Sequence, residues 1–238
     1  MKPQVLLTVD GLHAHYGRSH ILQGVSFSVG EAEVLSLLGR NGSGRSTTLK
    51  ALMGLVPPSG GSIRLAGREL AGARTHSICR AGLAYVPEAR EVFANLTVDE
   101  NLHMGEQAPQ PGAMRWTVAQ MFDYFPRLKE RRGTKAGSLS GGEQQMLTIC
   151  RSLLTNPRLI LVDEPTEGLA PMIVAQVGEC IQDMQRRGVA VLLVEQKLAI
   201  ALKVSSRVCV MGHGRIVFEG SPRQLQEDSA LLSQWLAV

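Results

Sequence analysis

One stretch constrains this chain more than any other. The apolar run Val34-Leu35-Ser36-Leu37-Leu38 passes directly into Gly39-Arg40-Asn41-Gly42-Ser43-Gly44-Arg45-Ser46-Thr47. Beyond the glycines, Leu49, Leu52, Met53 and Leu55 recur at helical spacing. Buried strand, glycine loop, helix is the order that a phosphate cradle requires. The glycines let backbone N–H groups converge on one point, and the helix start adds the positive end of its dipole. The loop matches G-x-x-x-x-G-K-[ST] except that Arg45 stands where Lys is expected. Ser46 offers a hydroxyl to Mg²⁺, a hard cation that prefers oxygen, and Thr47 can hydrogen-bond a more distal phosphate. At about 4 Å and an effective dielectric near 20, either cation at position 45 gains roughly 4 kcal/mol against one phosphate charge. The guanidinium is a planar fork rather than a point charge, and phosphoryl transfer depends mostly on positioning. Arg45 is therefore expected to face the phosphates, sparing binding more than turnover.

Two further motifs carry chemistry. Leu159-Ile160-Leu161-Val162-Asp163-Glu164-Pro165 reads as a buried strand ending in two carboxylates. Asp163 can hold Mg²⁺ through water, and Glu164 can polarise an attacking water as general base. Leu139-Ser140-Gly141-Gly142-Glu143-Gln144-Gln145 precedes a helix carrying Met146, Leu147, Ile149 and Cys150. Its Ser140, Gly141 and Gly142 make a second anion-binding helix start.

Around these motifs the chain alternates. Strands are expected at Val5–Val9, Gly24–Val29, Ser62–Leu65, Leu159–Val162, Val189–Val194 and Val208–Met211, with Pro57 to Gly61 as a break. Glu106 to Gly112 reads as a surface loop, and Thr97 to Leu154 is mostly helical in pattern. Met172 to Arg187 reads as a helix, Met211 to Arg215 as a hairpin turn, and Ser221-Pro222-Arg223-Gln224 as a capping box. Buried strands alternating with helices imply a largely parallel sheet, hence an α/β fold.

Composition removes other classes. The 25 Lys and Arg exceed the 21 Asp and Glu by four, too few to argue for nucleic acid. The longest clean apolar run, Val189 to Val194, is far short of the roughly 20 residues of a membrane helix. The start, Met1-Lys2-Pro3-Gln4-Val5, lacks a signal peptide's apolar stretch. Cys79, Cys150, Cys180 and Cys209 form no CxxC pair, which points to free thiols in a reducing compartment.

The three motifs, in this order and spacing, resemble the nucleotide-binding subunits of ABC transporters. The likeness spans essentially the whole chain, and Leu139 to Gln145 is its most specific part. It implies a P-loop NTPase core with an antiparallel β subdomain and an inserted helical subdomain: one domain over 1–238, with 1–87 and 156–238 as core and 88–155 as helical subdomain. It also implies a dimer in which each ATP lies between the phosphate loop of one subunit and Ser140-Gly141-Gly142 of the other. Residue by residue, Tyr16 matches the aromatic that stacks on adenine. Glu88 stands where most of the family has a Gln that senses Mg²⁺ and contacts the membrane subunit. Gln196 occupies the place of a switch histidine; it cannot protonate near neutral pH but can donate to a γ-phosphate. Glu167-Gly168-Leu169-Ala170-Pro171 matches the loop that crosses the dimer interface.

Val86-Pro87-Glu88, Leu96 to Leu102, Glu167 to Pro171 and Val194-Glu195-Gln196 together look like the shorter ATPase subunit of branched-chain amino acid importers. Urea and amide importers, or a regulatory half with little hydrolysis, are alternatives. The likeness implies ATP and Mg²⁺, a homologous second ATPase subunit, two integral membrane permease subunits and, indirectly, a periplasmic binding protein. It places the chain peripherally on the cytoplasmic face of the inner membrane.

Overall fold

The computed structural model describes residues 4–109 and 115–236. Residues 106–109 of the expected surface loop are irregular, while Gln110, Pro111 and Gly112 lie outside the described residues, as do Met1, Lys2 and Pro3. The chain opens with two long strands, β1 (Val5–Tyr16) and β2 (Ser19–Gly30), joined as an antiparallel hairpin. Next come β3 (Val34–Gly39), α1 (Arg45–Leu52), β4 (Pro58–Leu65), β5 (Arg68–Glu69), α2 (Thr75–Arg80) and β6 (Leu83–Val86). A helical stretch follows: α3 (Val98–His103), α4 (Val118–Tyr124), α5 (Pro126–Glu130) and α6 (Gly141–Leu153). The chain then alternates through β7 (Leu159–Asp163), α7 (Pro171–Arg186), β8 (Ala190–Val194), α8 (Leu198–Val204), β9 (Arg207–Gly212) and β10 (Arg215–Gly220), and ends in α9 (Pro222–Glu227) and α10 (Ser229–Trp235).

Two sheets result. One is antiparallel, in the order β2-β1-β4-β5. The other has the order β10-β9-β3-β8-β7-β6 and is parallel except for the β9–β10 hairpin. Its central strands read as unbroken apolar runs because both faces are covered. Side-chain alternation shows how. On β7 and β8, Ile160, Val162, Val191 and Leu193 pack against the helical side with Met146, Leu147, Val177 and Ile181. Leu159, Leu161, Leu192 and Val194 point the other way, into a core shared with β1, β2 and α1. Each such leucine contributes about 1.5–3 kcal/mol by leaving water. This sandwich holds the C-terminal ends of β3 and β7 side by side around β8, and the chemistry-bearing loops emerge there.

Several expectations shift at their edges. Pro58 to Gly61 belong to β4 rather than to a break: Pro58 sits at the strand's first residue, where a missing N–H is tolerated. The first strand runs on to Tyr16 through four register shifts against β2 that absorb its irregular pattern. β6 was not anticipated; its four residues, Leu83-Ala84-Tyr85-Val86, are too short to signal by periodicity. The β9–β10 turn carries His213 and Gly214 at φ +48° and +74°, the two positive values of a type I′ hairpin. Ser221 and Gln224 form the expected reciprocal cap.

Cys150, Cys180 and Cys209 are buried and Cys79 is exposed. Burial pushes the Cys180 and Cys209 thiols up to about 12. Native protein at pH 8 is expected to react with Ellman's reagent at one thiol, rising to four in denaturant; rapid native titration of more than one would contradict this packing.

Candidate active site

β3 delivers the chain to Gly39, where φ is +151° and a Cβ would lie 2.5 Å from the Met211 carbonyl oxygen and 2.8 Å from Ser43 Oγ. Only glycine fits. Gly44, at φ +105°, starts α1 without a side-chain cap, so the first-turn N–H groups keep their capacity for an anion. The loop is braced from within by Ser43 N donating to Arg40 O at 3.1 Å, and from outside by Gly214 N donating to Ser43 O at 3.0 Å. A cavity of about 270 Å³ opens over residues 41–47, walled by Glu88, Glu164, Glu167 and Gln196.

Arg45 does not stand free in that cavity. It is 4 % exposed, and both terminal nitrogens are engaged. Nη1 donates to the Glu195 carbonyl at 2.8 Å; Nη2 donates to Glu164 Oε1 at 2.9 Å and to Asn41 Oδ1 at 3.2 Å. Gln196 Nε2 donates to the other oxygen, Glu164 Oε2, at 2.6 Å. Arg45 thus lines the phosphate-loop cavity with its charge held by the Glu164 carboxylate. The cause is shape, since one planar guanidinium reaches three acceptors at once. Glu164 itself sits at φ +44°, a left-handed conformation costing about 1 kcal/mol or more for a non-glycine residue. Its N–H donating to Val194 O at 2.9 Å and the Arg45 pair hold it there. Burial raises the Glu164 carboxyl above its ordinary range, with Arg45 and Gln196 pulling against the shift.

Ser46 Oγ donates to Asp163 Oδ1 at 2.9 Å, and Tyr85 Oη donates to Oδ2 at 3.1 Å. A hydroxyl and a carboxylate at hydrogen-bond distance beside a phosphate loop are the hard donors that Mg²⁺ takes, so the residues fit that ion. Burial raises the Asp163 carboxyl too, against the two hydroxyl donors. Glu88 lines the same cavity, but its carboxylate gathers with those of Glu164 and Glu167, all within 4.8 Å of one another. At 4.8 Å two carboxylates repel by about 1 kcal/mol in water and roughly 3 kcal/mol at a dielectric near 20. Glu88 and Glu167 are exposed, which puts their mutual term nearer the lower figure.

Ser140 caps α6, accepting from Glu143 N at 3.3 Å while Glu143 Oε2 accepts from Ser140 N at 2.8 Å. Ser140 is exposed at the helix start, and Gly141 and Gly142 occupy its first two positions. Tyr16 is 48 % exposed at the end of β1, so a core role is excluded. Neither Tyr16 nor Ser140 to Gly142 lines the phosphate-loop cavity.

Sequence reasoning missed four participants. Tyr85 was hidden with its strand. Glu195, 2 % exposed, accepts from Thr166 Oγ1 at 2.7 Å, from Gln196 N at 3.1 Å and from Lys197 N at 3.3 Å, tying the loop after β7 to that after β8. Thr166 is the donor of that tie and was likewise unread. Arg90 Nη2 donates to the Glu167 carbonyl at 3.0 Å, and the guanidinium occupies the space a Cβ on Gly141 would need. Nothing in local periodicity marks these; only the tertiary meeting of three loops does.

A buried strand–glycine loop–helix, a hydroxyl–aspartate pair and an adjacent glutamate define a nucleotide-hydrolysing cassette. The ABC transporter family model matches residues 22–167, and the chain belongs to that family. It is 45% identical over 212 residues, 89% of this chain and 91% of the other, to the high-affinity branched-chain amino acid transport ATP-binding protein BraG of Pseudomonas aeruginosa. It is 34% identical to a probable branched-chain amino acid transport ATP-binding protein of Archaeoglobus fulgidus, over 93% of this chain and 94% of the other. A lipopolysaccharide export ATP-binding protein of Acidithiobacillus ferridurans is 33% identical, over 97% of this chain and 96% of the other. Among solved structures, the ADP conformation of an ABC transporter cassette superposes with a TM-score of 0.82 at 25% identity, covering 97% of this chain and 98% of that one. A nucleotide-free cassette gives 0.85 at 24% identity, covering 99% of both chains, a likeness of fold.

Two outcomes follow from this geometry. Arg45→Ala leaves Glu164 buried without its cation and is expected to cost about 2–3 kcal/mol in urea unfolding, below the upper range for broken buried pairs because the cavity admits water. Asp163 binds its proton more tightly folded than unfolded, so its favourable share of stability is complete below its unfolded pKa and is lost as pH rises above roughly 4. Asp163→Asn is expected to show a smaller loss of stability than the parent between pH 4 and pH 7; a larger loss would reverse the sign.

Proposed function

We propose that this chain is an ATP-binding and ATP-hydrolysing subunit of an ABC importer for branched-chain amino acids. The 45% identity to BraG across 89% of the chain supports the substrate class, and the resemblance of its loops supports import over the export named for some other relatives. The observation that carries the reading is the Ser46–Asp163 pair at 2.9 Å beside Glu164 on the phosphate-loop cavity.

In this reading Gly39, Arg40, Asn41, Gly42, Ser43, Gly44, Arg45, Ser46 and Thr47 bind the phosphates through backbone N–H groups and the helix start. Tyr16, exposed at the hairpin end, stacks on adenine. Ser46 and Asp163, with Glu88 nearby, hold Mg²⁺, which when bound neutralises phosphate charge and fixes its oxygens. Glu164 accepts the proton of the attacking water. Gln196, which donates to Glu164 in this state, also reaches a γ-phosphate. Arg45 must let go of Glu164 before both can act, so release of that pair precedes chemistry. Ser140, Gly141 and Gly142 face the nucleotide of a homologous second ATPase subunit, making the working unit a heterodimer. Two integral membrane permease subunits dock on it, a periplasmic binding protein supplies substrate, and the pair works peripherally on the cytoplasmic face of the inner membrane.

The test is the reconstituted transporter carrying Glu164→Gln in this subunit alone. ATPase and uptake of leucine are expected to fall at least tenfold; unchanged turnover would mean that this chain binds nucleotide without hydrolysing it. Arg45→Lys, which frees Glu164 from a three-way fork, is expected to raise the rate, and a slower variant would contradict the clamp.

A further inference from the structure

The turn between β9 and β10 braces the phosphate loop. Gly214 N donates to Ser43 O at 3.0 Å, while Gly214 O accepts from Gln23 N of β2 at 2.9 Å. A Cβ on Gly214 would clash with the Ile21 carbonyl, just as one on Gly39 would clash with that of Met211. The turn is therefore wedged between β2 and the loop, backbone against backbone.

Its remaining side is covered by α10. The three atoms nearest to a Cβ built on Gly212 are Cζ3, Cε3 and Cη2 of Trp235, all inside van der Waals contact. Gly212 is absent from the residues with positive φ, so the indole and not the backbone conformation requires glycine there. The same indole meets the His213 ring edge-on, with centroids 5.4 Å apart. Trp235, Leu231 and Leu232 also pack against a cluster holding Leu38, the residue before Gly39, together with Val208, Val210 and Leu225. Trp235 and residues 40–43 share the lining of a cavity of about 180 Å³. The route from the ring to the loop runs through the turn and its Gly214–Ser43 hydrogen bond.

We propose that Trp235 is a positioning residue for the phosphate loop. By seating on Gly212 it presses the β9–β10 turn against Ser43, and so fixes the direction of the loop's backbone N–H groups. Those groups bind an anion only while they converge on one point, and small displacements are costly where function depends on position. The last helix thus controls a site to which it contributes no polar group. Only the naming of phosphate as what the loop receives rests on the functional reading above.

The experiment uses the full chain and two readouts. Hydrogen exchange of peptides covering 39–47 and 211–215 is followed by mass spectrometry without nucleotide. Affinity for a non-hydrolysable ATP analogue with Mg²⁺ is measured by calorimetry. Trp235→Ala is expected to speed exchange in both segments and to weaken binding, each about fivefold or more, with the circular dichroism of the parent. Trp235→Phe, which keeps a ring over Gly212, is expected to restore most of both. Gly212→Ala, which displaces the ring, is expected to reproduce the loss in the parent and to add little in the Trp235→Ala background, because both changes remove one contact. Leu231→Ala, on the same helix but away from the turn, is expected to leave both readouts near the parent's. Unchanged exchange in Trp235→Ala overturns the proposal. So do independent, additive effects of Gly212→Ala and Trp235→Ala, or an equal effect of Leu231→Ala, which would reduce the role of Trp235 to general packing of α10. Exchange is read without nucleotide. A parent chain that binds no analogue would therefore fail the functional reading, and exchange would still decide the role of Trp235.

Discussion

The ion pair between Arg45 and Glu164 is the interaction on which the rest of the site depends. Two ionised groups, 4 % and 8 % exposed, meet at 2.9 Å. Such a pair gains little net free energy over an apolar substitute, yet breaking it by removing one partner is expensive. What it supplies is geometry. The fork draws the loop after β3, the tip of β7 and the carbonyl of Glu195 at the end of β8 into one arrangement. It also holds Glu164 in a backbone conformation that a non-glycine residue adopts at a cost. In the proposed reading, an anion entering the phosphate loop competes with Glu164 for the same guanidinium.

The two-layer packing makes this competition possible. β3, β8 and β7 are adjacent parallel strands with every residue buried, so their C-terminal ends are fixed relative to one another. The loops that leave them then start from fixed points on the sheet. Glu195 exemplifies the support: a buried carboxylate satisfied by donors from Thr166, Gln196 and Lys197, with no ion pair to it among the described residues. The helical side is coupled to the same loops by Arg90, which touches both the Glu167 carbonyl and the start of α6.

The phosphate loop, the two carboxylates at the tip of β7 and the serine-capped start of α6 were all legible in the sequence, because each combines a residue pattern with a local conformation. Glycines at forced φ values, an apolar run ending in acids and a Ser–Glu reciprocal cap announce themselves. β6 was not legible: four residues give no period, and Tyr85 therefore had no assigned place. The partner of Arg45 was equally hidden. Residues 45 and 164 are brought together only by sheet order, and no spacing along the chain encodes that meeting. Charge at position 45 could be read, but its direction could not. The same holds for Glu88, which the sequence places near Mg²⁺ and the fold gathers with Glu164 and Glu167.

The central claim is that phosphate and Glu164 compete for Arg45. Calorimetric affinity of the isolated chain for a non-hydrolysable ATP analogue with Mg²⁺, compared between the parent and Glu164→Gln, tests it without interference from turnover. A neutral amide holds the guanidinium less tightly, so the variant is predicted to bind about tenfold more strongly, a difference of about 1.4 kcal/mol. Equal or weaker binding by Glu164→Gln would contradict the competition.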